Sequence, residues 1–456
     1  MSIHQFKTSL IEHQLKRFHF IGIGGVGMRA LAKMILQLGF EVSGSDLHPC
    51  EEVCEWAKRG LISLYDNHEN QCIGQADCII YSSAIQSTNP EYQSAKELKI
   101  PMFHRSEMIA WMGRFFKVIA VSGTHGKTST SAMVAHILEQ SGYAPSYCVG
   151  ASSDGEILAH VGAGEWLVLE ADESDQSFLK YAPAIALVTN INYDHMENYH
   201  NRKDLYEQCF YDFLNRATVA KIFNHITGEL PKCIESIPDL HVIQKKNLTI
   251  HQNQQRGPIL ESSCTLNDQL LNIQMQVAGV HMLHNALLAI ECAEKVGIPR
   301  QDAATALRGF KGTDRRFQIH MINNHPVVSD YGHHPEEIRV TLQAARAVWP
   351  NKKLHLIFEP HRYSRLRYHF NGFLDVLSQA DQLVLVPIYG AGEVEDSIYH
   401  IPYLMECLCA YSPVYLSSLQ KIDEYLSMQG ENDVVILQGA GDIGHVLKRV
   451  NHESDA

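Results

Sequence analysis

The chain has no long apolar run. No stretch approaches the roughly 20 residues a helix needs to cross a bilayer. The opening residues, MSIHQFKTSLIEHQLKR, lack the apolar centre of a secretory leader. Membrane insertion and export are therefore not expected, and a cytoplasmic protein is. Basic charge is also scarce: 38 Lys and Arg stand against 51 Asp and Glu, a net charge of −13. That balance repels a phosphate backbone and argues against a general nucleic-acid binder. The 11 cysteines form no dense framework, and their odd number fits reduced thiols rather than a disulfide scaffold. Neither Cys50/Cys54 nor Cys407/Cys409 has a second pair at zinc-ribbon spacing. Internal repeats and low-complexity tracts are missing too. What remains is a chain of 456 residues, 45% hydrophobic and 20% charged, able to bury several cores in a few domains.

The most informative stretch is Lys117 to Ser131, KVIAVSGTHGKTSTS. Val118 to Val121 reads as a buried strand. Gly123-Thr124-His125-Gly126 breaks it as a tight turn, and Lys127-Thr128-Ser129-Thr130 opens a helix with Met133, Val134, Ile137 and Leu138 on one face. A strand, a glycine turn and a helix N-terminus direct free backbone N–H groups and a positive dipole end at an anion. Lys127 adds a full charge for outer phosphates, and the Thr128 hydroxyl can reach a bound magnesium ion. The strict GxxxxGK[ST] spacing fails because Val121 replaces its first glycine. An ordinary β–α turn is the bland reading; phosphate binding is the favoured one.

Nearer the N-terminus, a strand at Phe18–Ile21 leads into Gly22-Ile23-Gly24-Gly25-Val26-Gly27 and a helix over about 28–38, with Ser45-Asp46 some 20 positions on. This is GxGxxG in a βαβ unit: a diphosphate on a helix N-terminus, with Asp46 near a ribose hydroxyl. Alone, it predicts an NAD-dependent dehydrogenase. A second strand, 77–81, ends in Ser82-Ser83, hydroxyls placed where open α/β sheets bind ligands, and Asn89-Pro90-Glu91 starts a further helix.

Further strands end in chemistry. Residues 165–170 finish on Glu170, followed by Ala171-Asp172-Glu173, an acidic group placed to hold a metal on phosphates or simply a solvated turn. A strand over 184–188 precedes Thr189-Asn190 and Asp194-His195; imidazole is an uncommon magnesium ligand, so His195 is a moderate candidate on chemistry alone. Residues 220–275 are polar and yield a strand or two, including 271–275. Gly279 to Ala286 then opens a helix. Beyond the charged hinge Gly312-Thr313-Asp314-Arg315-Arg316-Phe317, a strand at 327–328 ends in Ser329-Asp330-Tyr331-Gly332-His333-His334-Pro335, and another at 354–358 ends in Glu359-Pro360-His361-Arg362-Tyr363-Ser364-Arg365. The arginines there suit fork-like recognition of a carboxylate, or form a solvated basic face. Strands near 383–387 and 434–437 complete a doubly wound pattern over 320–445.

GTHGKT resembles the ATP loop of the Mur ligases, ATP-dependent amide-forming enzymes of peptidoglycan synthesis. The likeness extends in order along nearly the whole chain: HFxGIGGxGM, GSD, YSSAI and NPE, then EADESDxSF and VTNIxxDHM, then DYGHHP and PHRYSR. It implies an α/β protein of three domains: a Rossmann-like UDP-sugar domain (1–113), a central ATPase domain with a mostly parallel sheet (114–313) and a Rossmann-like amino-acid domain (314–456). By this resemblance Gly22, Gly24, Gly25, Gly27, Ser45, Asp46, Ser82, Ser83 and Arg105 hold the UDP-sugar. Gly123, Thr124, His125, Gly126, Lys127, Thr128, Ser129, Asn285 and Arg316 hold ATP. Thr128, Glu170 and His195 hold magnesium, two ions being expected, with Glu173 as a rival carboxylate and Asn190 and Asp194 in support. Tyr331, His333, Arg362 and Arg365 hold the amino acid, and His333 is a guess for the base on its amine. Lys127, Glu170, His195 and His333 form the catalytic set. The chain departs from the family at His104, Met282 and Asp314.

The implied reaction joins L-alanine to the lactyl carboxylate of UDP-N-acetylmuramate through an acyl phosphate, with ATP as co-substrate and domain closure near 113 and 314. A homodimer is compatible with the pattern. Three other readings are a ligase attaching a preformed murein tripeptide to the same sugar, the NAD-dependent dehydrogenase, and a non-catalytic UDP-sugar sensor. The first fits the GIGGxGM loop less well. The second leaves Lys127 and Glu170 unexplained, and intact Lys127, Glu170 and His195 count against the third.

Overall fold

Short apolar runs between glycine turns and amphipathic helices build a set of mostly parallel sheets. The computed structural model describes residues 3–226 and 230–447; the ends of the expected first and last domains, 1–2 and 448–456, and residues 227–229 of the polar stretch lie outside the described residues. The first sheet contains β1 (Arg17–Ile21), β2 (Glu41–Ser45), β3 (Ser63–Tyr65), β4 (Cys78–Tyr81) and β5 (Met102–His104). Its order is β3-β2-β1-β4-β5, and every pairing is parallel. The helix Val26–Gln37 starts two residues earlier than the sequence pattern indicates, directly on Gly25.

The second sheet holds β6 (Lys117–Ser122), β7 (Ser146–Ser153), β8 (Glu156–His160), β9 (Trp166–Glu170), β10 (Ile185–Val188), β11 (Ala220–His225) and β12 (Leu240–Gln244). They lie in the order β12-β11-β10-β6-β9-β7-β8, antiparallel only between β7 and β8. β6, β9 and β10 are buried almost throughout, as central strands covered on both faces must be. β13 (Leu248–Arg256), β14 (Ile259–Leu266) and β15 (Gln269–Met275) form a small third sheet. Among the described residues, 220–275 thus supply five strands, where the sequence pattern yields a strand or two. The reason is visible in the residues. β13 is almost wholly polar and exposed, and β14 fills its buried positions with Ser262 and Cys264 as well as leucines, which blurs the alternation.

The fourth sheet contains β16 (Gln318–Ile322), β17 (His325–Asp330), β18 (Lys353–Phe358), β19 (Gln382–Leu385), β20 (Val414–Tyr415) and β21 (Asp433–Gln438). Its order is β16-β17-β21-β18-β19-β20, parallel except for the β16–β17 hairpin. By contacts the chain divides into two compact units. One runs to His251 and adds Ser263–Asn272 and His284–Phe310; the other comprises Gln252–Ser262, Ile273–Leu283 and the chain from Lys311.

In each parallel sheet the motifs singled out in the sequence follow the carboxyl ends of strands. Gly22 follows β1, Asp46 follows β2 and Ser82 follows β4. Gly123 follows β6, and Thr189 follows β10. Tyr331 follows β17 and Glu359 follows β18. Ligands bind at that edge of an open α/β sheet because the next helices begin there.

The first unit carries an aromatic core. Phe178 stacks on Phe213 at 5.1 Å and meets Phe210 edge-on at 5.4 Å, and all three are fully buried. Phe178→Ala should therefore destabilise the protein by about 3–5 kcal/mol. The check is denaturant unfolding followed by near-UV circular dichroism. A shift under about 1 kcal/mol would mean that the cluster contributes little to stability.

Candidate active site

The turn after β6 is shaped by close approach. Gly123 has φ +126°, and a Cβ there would sit 2.1 Å from the Thr189 hydroxyl and 2.9 Å from the Asn190 carbonyl. No other residue fits. The turn is then clamped from the neighbouring strand β10. The His125 N–H donates to Asn190 Oδ1 at 3.0 Å, and Thr189 Oγ1 and Asn190 Nδ2 donate to the His125 carbonyl at 2.6 and 2.8 Å. Thr124 Oγ1 donates to the Asn192 carbonyl at 2.7 Å and meets the buried Tyr206 hydroxyl at 3.1 Å. The Asn285 amide lies against Gly126, 2.8 Å from where a Cβ would stand. Gly126, in the left-handed region, caps the helix Lys127–Gln140.

Lys127 is largely buried at the first position of that helix. Its Nζ donates to the carbonyls of Gly123 (2.8 Å) and Thr124 (3.3 Å) and pairs with the Glu173 carboxylate at 2.8 Å. Burial opposes the charge, but Glu173, Asp172 and Glu170 outweigh it and hold the ammonium protonated. Burial pushes the Glu173 carboxyl up to about 7 against the pull of Lys127. Asp172 is held below the usual range, because Lys127 and the Ser174 amide outweigh its burial. Three acids around one base leave an excess of negative charge, an environment that favours a cation.

Glu170 faces that environment differently from Glu173. Its Oε1 accepts the Thr128 hydroxyl at 3.0 Å and its Oε2 the Gly150 N–H at 2.9 Å. The two carboxylates left as rivals by the sequence are thus in different places: Glu173 pairs with Lys127, and Glu170 with the Thr128 hydroxyl. His195 has a left-handed backbone, φ +53°, which is strained for a residue with a side chain. Its Nε2 lies 3.6 Å from Asp194 Oδ2 and its Nδ1 3.9 Å from Glu197 Oε1. Among the described residues no three His, Cys, Asp or Glu side chains converge as a ready-made metal cage. Magnesium does not need one: it keeps several waters and uses one or two carboxylates with phosphate oxygens.

The N-terminal glycine turn adjoins the same region. The Gly24 N–H donates to Asp46 Oδ2 at 2.8 Å, so Asp46 braces the turn. The Arg105 guanidinium lies against Gly27, where a Cβ would meet Nη1 at 2.4 Å. Ser45 is fully buried. Ser83 contacts His104 Nε2 and donates to Asp175 Oδ2, both at 3.1 Å. His104 also caps the helix Arg105–Gly113 in a capping box with Glu107, so this departure from the family pattern keeps a structural task. A cavity of about 300 Å³ is lined by Gly25, Gly27, Ser82 and Arg105 on one side and by Gly150, Glu170 and Asp172 on the other.

In the second unit, His333 Nδ1 contacts the Tyr331 carbonyl at 3.1 Å, and its ring lies 5.5 Å from that of His361. Arg365 Nη1 is 3.3 Å from His361 Nδ1. Burial pushes His333 down to about 3, so the imidazole is neutral near pH 7. Arg362 has φ +69°, and its guanidinium is 3.9 Å from Glu393. Arg316 lies over the Tyr331 ring at 5.1 Å, while Arg315, half-buried beside it, donates to the Gly439 carbonyl at 2.6 Å. Glu359 is buried on the same edge, its carboxyl pushed up to about 7 by burial. Glu359, Tyr206 and the pairing role of Glu173 escape sequence reasoning. Their positions at strand ends and in an acidic run mark them only weakly.

Comparison with known proteins agrees with this arrangement. Residues 17–117 match the Mur ligase family catalytic domain, 121–293 the Mur ligase middle domain, and 315–441 the Mur ligase glutamate ligase domain. The UDP-N-acetylmuramate–L-alanine ligase of Acidithiobacillus ferrooxidans is 40% identical, over 83% of this chain and 84% of its own length. The ligase of the same name from Hydrogenovibrio crunogenus is 35% identical, over 96% and 98%. Among solved structures, the UDP-N-acetylmuramate-alanine ligase of Thermotoga maritima superposes with a TM-score of 0.83 at 28% identity, covering 96% of this chain and 99% of that one. A murein peptide ligase from Psychrobacter arcticus shares the fold at a TM-score of 0.69 and 20% identity. With three Mur ligase domains matched in order between residues 17 and 441, the chain belongs to the Mur ligase family.

Proposed function

We propose that this protein joins L-alanine to the lactyl carboxylate of UDP-N-acetylmuramate at the cost of ATP, releasing ADP and phosphate, in the cytoplasmic synthesis of peptidoglycan precursors. The observation that carries the reading is the 300 Å³ cavity, which brings the N-terminal glycine turn, Ser82 and Arg105 to face Glu170 and Asp172. One wall suits the diphosphate of a sugar nucleotide; the other carries Glu170, whose carboxylate accepts the Thr128 hydroxyl at the head of the helix that Lys127 begins. An acid and a triphosphate brought together there have the chemistry of carboxylate activation. The relatives named for L-alanine addition favour that amine over a preformed tripeptide.

A carboxylate resists attack by an amine because oxide cannot leave. Transfer of the terminal phosphoryl group of ATP to the lactyl carboxylate gives an acyl phosphate. The amine of alanine then attacks its carbonyl, and phosphate departs. The protein's part is positioning and charge neutralisation. In our reading Gly22, Gly24, Gly25 and Gly27 cradle the UDP-sugar with Ser45, Asp46, Ser82, Ser83 and Arg105. Gly123 to Ser129 cradle ATP with Asn285 and Arg316, and Lys127 exchanges Glu173 for a phosphoryl oxygen. Thr128, Glu170 and His195 would hold magnesium, which neutralises phosphate charge when bound. The acid excess around the loop and the Thr128–Glu170 pairing support that fit. Tyr331, His333, Arg362 and Arg365 take the amino acid; burial holds His333 neutral and makes it a weak base, so in our reading it orients the amine as a hydrogen-bond acceptor. Division into domains at 1–113, 114–313 and 314–456 follows these three binding tasks.

The reaction is tested by incubating the protein with UDP-N-acetylmuramate, ATP and magnesium and screening L-alanine, glycine, L-serine and the murein tripeptide for phosphate release. Release with no amine, or none with any, would overturn the reading. Lys127→Ala should lower kcat by about a thousandfold or more while UDP-N-acetylmuramate still binds, as calorimetry would register. Glu170→Gln should raise the magnesium concentration needed for half-maximal rate by about tenfold, whereas Glu173→Gln should shift it less; a magnesium titration of each variant decides between the two carboxylates. Arg365→Ala should raise the KM for L-alanine by about tenfold and that for ATP by less than twofold. Equal losses for all substrates would remove Arg365 from amino-acid recognition.

A further inference from the structure

The motifs HFxG and NPE contribute residues that the reaction above leaves without a task. The structure joins them. Glu91, in the first turn of the helix Pro90–Glu97, is fully buried, and so is His19 in the middle of β1. His19 Nε2 lies 2.6 Å from Glu91 Oε2, and the ring's other nitrogen, Nδ1, lies 2.9 Å from the Ser43 hydroxyl on β2. The second carboxylate oxygen, Oε1, is 2.5 Å from Nδ1 of His68, in the loop after β3. The Ser45 hydroxyl, at the carboxyl end of β2, lies 3.1 Å from that nitrogen. Two imidazoles, each in contact with a serine hydroxyl of β2, thus hold one dry carboxylate. Burial works against its ionisation, and the hydrogen bonds of His19 and His68 overcome it, keeping Glu91 below the usual carboxylate range.

The consequence lies one residue further on. Ser45 is followed by Asp46, whose Oδ2 accepts the Gly24 N–H at 2.8 Å and whose Oδ1 accepts the His48 N–H at 3.0 Å. The glycine turn is therefore braced by Asp46, Asp46 is carried by the end of β2, and the end of β2 is tied to Glu91. We propose that Glu91 is a positioning residue for the sugar nucleotide: the buried anchor that fixes β1, the end of β2 and the loop after β3 relative to one another and so sets the geometry of the diphosphate-binding turn. Glu91 itself, fully buried, touches no ligand. The proposal rests on the reading of that turn as the UDP-sugar site.

Replacing one carboxylate oxygen by an amide turns an acceptor into a donor facing donors. Glu91→Gln should raise the KM for UDP-N-acetylmuramate about tenfold and weaken its binding in calorimetry to the same degree, with kcat and the KM values for ATP and L-alanine within twofold. Ser43→Ala, which removes the tie between β2 and His19 and lies outside the residues assigned to the ligand, should raise the same KM about threefold. Asp77→Asn serves as the control for mere loss of stability. Asp77 ties Lys16 and Arg17 at the opposite edge of the same sheet, so its replacement should lower the thermal midpoint and leave the KM for the sugar nucleotide unmoved. A Glu91→Gln protein with unchanged KM and binding, or with all three KM values raised alike, would overturn the positioning role. Failure of the unaltered protein to turn over or bind UDP-N-acetylmuramate would instead overturn the reading on which it rests.

Discussion

One ammonium group surrounded by three carboxylates organises the first unit of this protein. Lys127 at the head of its helix meets Glu173 directly and feels Asp172 and Glu170. An arrangement with more acid than base in a largely dry turn is electrostatically incomplete by itself. It suits a cation, which in the proposed reading arrives with the nucleotide. The surrounding hydrogen bonds serve to keep the turn in place. Asn190 and Thr189 grip His125, the Asn192 carbonyl and Tyr206 meet the Thr124 hydroxyl, and the Gly150 amide and Thr128 fix Glu170.

The parallel sheets explain why chemistry from distant parts of the sequence collects in one place. Each strand carries its polar residues past its carboxyl end, and neighbouring strands bring those ends side by side. β6, β9 and β10 deliver the Gly123–Gly126 turn, the acids and the Thr189-Asn190 clamp in this way. β1, β2 and β4 deliver the glycine turn, Asp46 and Ser82. In the second unit β17, β21 and β18 place Tyr331, Gly439 and Glu359 on one edge, and Arg315 ties β21's turn to the segment before β16. Backbone strain is found at some of the same positions: His195 and Arg362 both hold left-handed conformations that only their surroundings enforce.

The buried polar groups divide into two kinds. Some face a cavity or a loop and are ready to change partners, as Lys127 and Glu173 are. Others, such as Glu91 with His19, His68 and Ser45, are saturated by the protein and sit behind the ligand edge. A saturated buried network holds strands at one spacing because any slip leaves a donor unpaired in a dry interior. The first kind supplies chemistry, and the second supplies the geometry in which it occurs.

The sequence by itself determined the central strands of the three parallel sheets, the glycine turns and the identity of most charged groups at their carboxyl edges. Those features are local: a β-branched run, a glycine with positive φ and a helix start are specified by neighbouring residues. Its readings at 18–21, 77–81, 165–170, 184–188, 354–358 and 434–437 all coincide with strands for that reason. The polar strands of 220–275 were obscure because exposed hairpins need no apolar alternation. Only the tertiary structure decided which carboxylate meets Lys127 and which meets Thr128, for Glu170 and Glu173 are three residues apart and chemically alike. It alone joined His19 to Glu91 across 72 positions. Such pairings depend on how strands register and where helices return, and that is set by the packing of the whole sheet.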